Sequence, residues 1–120
     1  MCGIFGCIHR ANFDFSINSF NKLNQYLSHR GPDSEGVVEV QKDDNSVKLG
    51  HKRLSILDLS KNGNQPMKSH SNRFTISFNG EIYNHLVLRK KYLLNKNIEW
   101  KGTSDTETLL SHLMEKYIII

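Results

Sequence analysis

The chain has 120 residues, enough for one domain with a hydrophobic core and little stability to spare. Its 38% hydrophobic and 23% charged residues are the mix of a folded domain and exclude a disordered one. The net charge of +4 is scattered, so a nucleic-acid surface is not expected, and the one basic run, Arg89-Lys90-Lys91, reads as a solvated helix face. No apolar stretch approaches the length of a membrane span, and the tail Tyr117-Ile118-Ile119-Ile120 is far too short for one. No signal-peptide pattern opens the chain. The two cysteines, Cys2 and Cys7, therefore fit a reducing, cytoplasmic location without a disulfide.

Residues 3–8 read as a buried strand. In it Ile4 and Ile8 share a side with Cys2, while Phe5 and Cys7 face the other way. Residues 17–28 place Ile17, Phe20, Leu23 and Leu27 at helical spacing behind a Ser16 N-cap, leaving Asn24 and Gln25 off the apolar stripe. Gly31-Pro32 ends that helix. Val37–Val40 is a strand, Asp43-Asp44-Asn45 a turn, and Val47-Lys48-Leu49 opens the return strand of a hairpin. Residues 52–59 alternate imperfectly through Leu54, Ile56 and Leu57, and 60–66 form a polar loop. Arg73–Phe78 alternates cleanly as a strand and is broken by Asn79-Gly80. A helix follows over 84–94, N-capped by Asn84. Ser104-x-x-Glu107 is a capping box opening a last helix, with Leu109, Leu110, Leu113, Met114 and Tyr117 on its apolar side. Strands and hairpins interspersed with helices, without βαβ alternation, predict an α+β fold with mainly antiparallel sheet.

Taken alone, Cys2 is a small residue at a frayed terminus. Removal of Met1 would leave a thiol and an α-amine on one residue, and a neutral amine could take the thiol proton without any histidine. Two glycines then follow within Met1-Cys2-Gly3-Ile4-Phe5-Gly6, removing bulk where a substrate or another backbone approaches closely. This start resembles the class II glutamine amidotransferases, whose mature chains begin with the catalytic cysteine. Four more blocks follow in order: His29-Arg30-Gly31-Pro32-Asp33, Gly50 to Leu59, Phe78-Asn79-Gly80-Glu81-Ile82-Tyr83-Asn84, and Gly102-Thr103-Ser104-Asp105-Thr106-Glu107. Together they resemble the glutaminase domain of glutamine-hydrolysing asparagine synthetases, over nearly the whole chain.

The resemblance implies an N-terminal-nucleophile (Ntn) hydrolase fold, an αββα sandwich of two antiparallel sheets. It implies that residues 2–120 are a glutamine amidotransferase type-2 domain, partial at its C-terminal end. The ATP-dependent synthetase domain, with its phosphate loop, has no counterpart here. A truncated or frameshifted gene product, or a fragment, is expected, inactive in the extreme case. The implied reaction is hydrolysis of L-glutamine to glutamate and ammonia by Cys2, without cofactor or metal. ATP and Mg²⁺ would serve only the synthetase domain, which amidates aspartate; an acceptor in surface-polymer synthesis, a sugar acid or peptide, is the alternative.

The implied site has three handles for glutamine. Arg53 would take the α-carboxylate, with Leu54, Ser55, Ile56 and Leu57 lining the same pocket; alone, Arg53 reads as a surface arginine and its neighbours as core. Asn79 and Gly80 would form the oxyanion hole; alone they are a turn. Glu81 would contribute to the glutamine site. Asp105 would take the α-ammonium group; alone it is an acid compensating a helix dipole. The six histidines show no zinc-ligand spacing and read as structural or exposed.

Overall fold

The structure, a computed structural model, describes residues 1–117. The Ile118-Ile119-Ile120 part of the apolar tail lies outside the described residues.

Three strands form the larger sheet: β1 (Gly3–Arg10), β2 (Ser34–Lys42) and β3 (Asn45–Arg53). Their order is β1-β3-β2, all antiparallel, with Gly3 opposite Lys52 and Ser34 opposite Arg53. The hairpin is tighter and longer than expected. Lys42 pairs with Asn45, so Asp43-Asp44 alone make the turn, and Asp43 takes a left-handed φ of 53°.

Helix α1 (Ile17–Gln25) starts at Ser16, whose Oγ accepts the Ser19 N–H at 3.1 Å. It covers one face of this sheet, and its Phe20 ring stacks on Phe5 with centroids 4.8 Å apart. The apolar stripe differs from expectation: Asn24 is 1% exposed and Leu23 is 42% exposed. Asn24 lies one turn beyond Phe20 and points at Gly50, where a Cβ would sit 2.7 Å from its Oδ1. A missing side chain on the strand admits a polar one from the helix. β1 is half buried: Phe5 faces α1, while Ile4 and Ile8, on the opposite face, are 50% and 74% exposed.

The second sheet is small: β4 (Met67–Lys68) pairs with β5 (Thr75–Ile76). Only two residues of the expected 73–78 strand find ladder partners; Arg73 lies in a bend, and Ser77-Phe78 lead on to Asn79 without pairing. This sheet lies on the face of the first sheet away from α1. There His51, on that face, donates from Nε2 to the Phe78 carbonyl at 3.2 Å. Helix α2 (His85–Leu88) continues as a π-turn over Arg89–Leu93, and Asn84 makes no side-chain cap bond. Helix α3 (Asp105–Lys116) packs behind the second sheet, where Gln65 Nε2 donates to Thr106 Oγ1 at 3.2 Å. The layers run helix, sheet, sheet, helix. This is an α+β architecture with two antiparallel sheets, in keeping with the Ntn sandwich.

The basic run divides. Lys90 and Lys91 are exposed, but Arg89 folds back over the Trp100 ring at 3.7 Å from its centroid, and burial lowers its pKa. In α3 the buried residues are Asp105, Thr106, Thr108, Leu110 and Ser111. The expected apolar side is only half covered, and Tyr117 is exposed.

Candidate functional site

A cavity of about 290 Å³ opens where the start of β1, the end of β3 and the loops before α2 and α3 meet. That is the small end of the range for metabolite pockets. It is lined by Cys2, Arg53, Leu54, Ile56, Leu57, Asn79, Gly80, Glu81 and Asp105. Nine of the ten residues expected at the site, drawn from four separate stretches of chain, thus share one wall. Ser55 does not: its N–H donates to Asp33 Oδ2 at 2.7 Å, and it lines a neighbouring depression instead.

Cys2 is half buried, a free thiol whose Sγ accepts the Leu54 N–H at 3.3 Å and faces the Leu54 carbonyl at 3.6 Å. The sulfur is therefore fixed against the strand end that carries Arg53. Met1 also lines the cavity and is 76% exposed.

Arg53 is 7% exposed. Its Nη1 donates to the Ser60 carbonyl at 3.0 Å and to Asn64 Oδ1 at 3.1 Å, and its Nη2 donates to the Asp58 carbonyl. All three acceptors are neutral. Among the described residues no carboxylate forms an ion pair with it. Gly63 permits the arrangement, since a Cβ there would lie 2.1 Å from Nη2. A buried guanidinium without a partner anion, on a cavity wall, suits a carboxylate ligand.

Asp105 is the first residue of α3 and is 6% exposed. Ser104 supplies the N-cap, its Oγ accepting the Glu107 N–H at 3.2 Å. The capping box is half formed: Glu107 reaches past Ser104 to the N–H groups of Lys101 (2.8 Å) and Gly102 (3.0 Å). Asp105 Oδ2 accepts the Ile82 N–H at 2.8 Å, which ties α3 to the Asn79–Ile82 loop. It too lacks an ion pair among the described residues.

Asn79 and Gly80 are exposed on the cavity wall, and the residue before them is gripped twice. The Phe78 N–H donates to Gln65 Oε1 at 2.6 Å, and its carbonyl accepts from His51. Burial lowers the His51 pKa, with Arg53 adding to the effect. The ring stays neutral, with Nε2 as its donor and Nδ1 unpartnered. Sequence reasoning counted His51 only as structural or exposed and gave Gln65, Asp58, Asn64 and Arg89 no role at the site. Their signal was weak: His51, Gln65, Asp58 and Arg89 each bond main-chain groups of distant loops, and Asn64 meets the Arg53 guanidinium and the Ser34 hydroxyl from elsewhere in the chain.

No group of three or more metal-ligating side chains occurs among the described residues, and no helix there is long and apolar enough to cross a membrane.

The glutamine amidotransferase domain model matches residues 1–117. The chain belongs to that family. It is 38% identical to asparagine synthetase (glutamine-hydrolyzing) 1 of Bacillus subtilis, over 92% of this chain and 17% of the relative. It is 34% identical to asparagine synthetase B (glutamine-hydrolyzing) of Escherichia coli, over 97% of this chain and 20% of the relative. It is 40% identical to asparagine synthetase (glutamine-hydrolyzing) 1 of Arabidopsis thaliana, over 80% of this chain and 15% of the relative. The chain thus spans about a fifth or less of the length of these relatives.

Proposed function

We propose that this amidotransferase domain hydrolyses L-glutamine, with Cys2 as nucleophile once Met1 is removed. One observation carries the reading: Arg53 and Asp105, both buried and without ion-pair partners among the described residues, share a cavity with the Cys2 thiol. An α-amino acid brings one anion and one cation, and this wall offers one of each. Arg53 takes the carboxylate and Asp105 the ammonium group, with Leu54, Ile56, Leu57 and Glu81 around the side chain.

In the reaction, the neutral α-amine of Cys2 takes the thiol proton. The thiolate attacks the side-chain amide carbon. Negative charge moves to the amide oxygen, where the Asn79 side-chain N–H and the Gly80 N–H receive it; one such donor contributes about 2.7–4 kcal/mol. The leaving nitrogen takes the proton from the ammonium group and departs as ammonia. Water then cleaves the glutamyl thioester, releasing glutamate and restoring the thiol.

Residues 2–120 act in this reading as part of a glutaminase unit in the cytoplasm, and the hydrolysis uses no cofactor. The ammonia passes to a synthetase domain or subunit that activates aspartate with ATP and Mg²⁺. The names of the relatives support that acceptor.

The test is ammonia and glutamate release from glutamine by the protein with a processed N-terminus, beside Cys2→Ala. Release by the parent and none by the variant is expected. Equal release by both sinks the assignment of Cys2.

A further inference from the structure

Asp58 has no part in the chemistry above, yet it lies on the cavity wall and is 6% exposed. Both oxygens of its carboxylate are engaged. Oδ1 accepts the Ser60 N–H at 2.9 Å and the Ser60 Oγ–H at 2.6 Å, and Oδ2 accepts the Thr103 N–H at 2.8 Å. Its own carbonyl, and that of Ser60, receive the Arg53 guanidinium. On the other side, Thr103 leads directly into the Ser104 cap and Asp105. One residue therefore touches both the anchor of the site's cation and the loop that delivers its anion, 45 positions apart in sequence.

We propose that Asp58 is a positioning residue: its carboxylate holds the Gly102–Ser104 loop so that Asp105 faces the ligand beside Arg53. The proposal rests on reading this cavity as the glutamine site. Asp58 does not itself receive the ammonium group, because three protein donors already occupy its oxygens. Asp105, by contrast, accepts one close hydrogen bond and keeps acceptor capacity free.

Two further observations support the clamp. Gly102 leaves no room for a side chain: a Cβ would lie 2.5 Å from Asp58 Oδ2. The same loop is gripped from the opposite side by Arg89, which donates to the carbonyls of Gly102 (3.1 Å) and Ser104 (2.9 Å). The loop is thus held between the buried Asp58 anion on the Thr103 N–H and the Arg89 guanidinium on the Gly102 and Ser104 carbonyls. This gives Asp58 and Gly102, two residues of the motif blocks without a chemical role, one shared task.

The experiment compares the parent protein, full length and with Met1 removed, with Asp58→Asn, Gly102→Ala and the double variant. Asparagine cannot accept from both Ser60 and Thr103, since one of its two side-chain groups is a donor. Gly102→Ala displaces the same carboxylate while leaving it charged. Three readouts apply: KM and kcat for glutamine, kcat/KM for glutaramate (glutamine without its α-ammonium group), and amide hydrogen exchange at Thr103.

Each single variant should raise the glutamine KM about ten-fold, the effect of losing one charge-assisted hydrogen bond, with kcat little changed. Glutaramate turnover should be unaffected, Thr103 exchange should quicken while β3 amides stay protected, and the double variant should be no worse than either single one. Equal losses on both substrates would mean general damage and overturn the proposal. So would an unchanged glutamine KM, or unchanged Thr103 protection in Asp58→Asn. If the parent hydrolyses no glutamine, the glutaminase reading fails by itself, and Thr103 exchange still decides whether Asp58 holds the loop.

Discussion

The Arg53 guanidinium keeps its geometry through two nitrogens bonded to three neutral oxygens. A lysine offers one compact charge and cannot reproduce that fork. Arg53→Lys should therefore raise the glutamine KM by about ten-fold or more, on the scale of one charge-assisted hydrogen bond, with a smaller effect on kcat in steady-state assays. The site's titration has a defined direction. Asp58 is held at about 2, first by the Ser60 hydroxyl and then by the Thr103 N–H, below its ordinary 3.8. Its stabilising contribution is complete above 3.8 and disappears as pH falls from there to about 2. His51 is likewise lowered from its ordinary 6.5, chiefly by burial, so the unfolded chain takes a proton first and stability declines once pH drops below 6.5. His51→Gln keeps a donor for the Phe78 carbonyl and cannot titrate. Its melting temperature should fall less between pH 7 and 5 than that of the parent, read by thermal denaturation. These residues divide by legibility. Cys2, Arg53, Asn79 and Asp105 stood out because they present side-chain chemistry within blocks of recognisable order. Asp58, Gln65 and His51 did not, because they act on the N–H and C=O groups of distant loops, which sequence leaves unspecified.

Helix α3 is both a structural element and the mount for Asp105. Ser104→Ala removes its N-cap, worth about 1 kcal/mol, and for a domain of this size that lowers the melting temperature by roughly 4 °C. Ser16→Ala at α1 removes an equivalent cap bond. Both variants should melt earlier, but only Ser104→Ala should also raise the glutamine KM, since α1 lies across the sheet from the cavity. Thermal melts and kinetics on the same samples separate the two effects. The elements read from sequence with uneven success for physical reasons. Caps and turns are local signals: Ser16 and Ser104 cap α1 and α3 as expected and the hairpin turns at Asp43-Asp44, whereas Asn84, expected as a third cap, makes no cap bond. The face of α1 was misjudged because Asn24 is buried by the absence of a side chain at Gly50, 26 positions away. The strand over 73–78 has the right alternation, but ladder pairing depends on a partner strand, and β4 supplies only two residues.

The whole molecule has a well-built site on a thin support. Among the described residues only Phe20, Leu93 and Leu110 are buried hydrophobics. The chain exposes 8158 Å², against about 6,600 Å² for a compact protein of its mass. Part of the open area is the sheet face away from α1, where Ile8 is 74% exposed, Ile4 50% and Val40 41%. Ile8, Val47 and Val40 lie side by side across the three strands. A chain of these 120 residues should bind a hydrophobic dye such as ANS. Ile8→Lys with Val40→Lys should reduce that fluorescence while leaving the melting temperature nearly unchanged, because substitutions at exposed positions cost little. A fall in melting temperature of several degrees would show the face to be packed instead.

Met1 sits at the cavity beside the Cys2 thiol, and the chain's other cysteine, Cys7, lies within β1. Loss of Met1 therefore turns one of two otherwise similar thiols into a 1,2-aminothiol. That group condenses with an aldehyde to a five-membered thiazolidine, releasing water, whereas Cys7, with its nitrogen in a peptide bond, cannot. Once the reversible imines on lysines and on the Met1 amine have hydrolysed, an aldehyde-bearing dye should remain on the processed chain once and be lost from the unprocessed chain, giving a count of matured molecules. By the same ring closure, a small aldehyde metabolite would tie up the Cys2 thiol and its α-amine in one step.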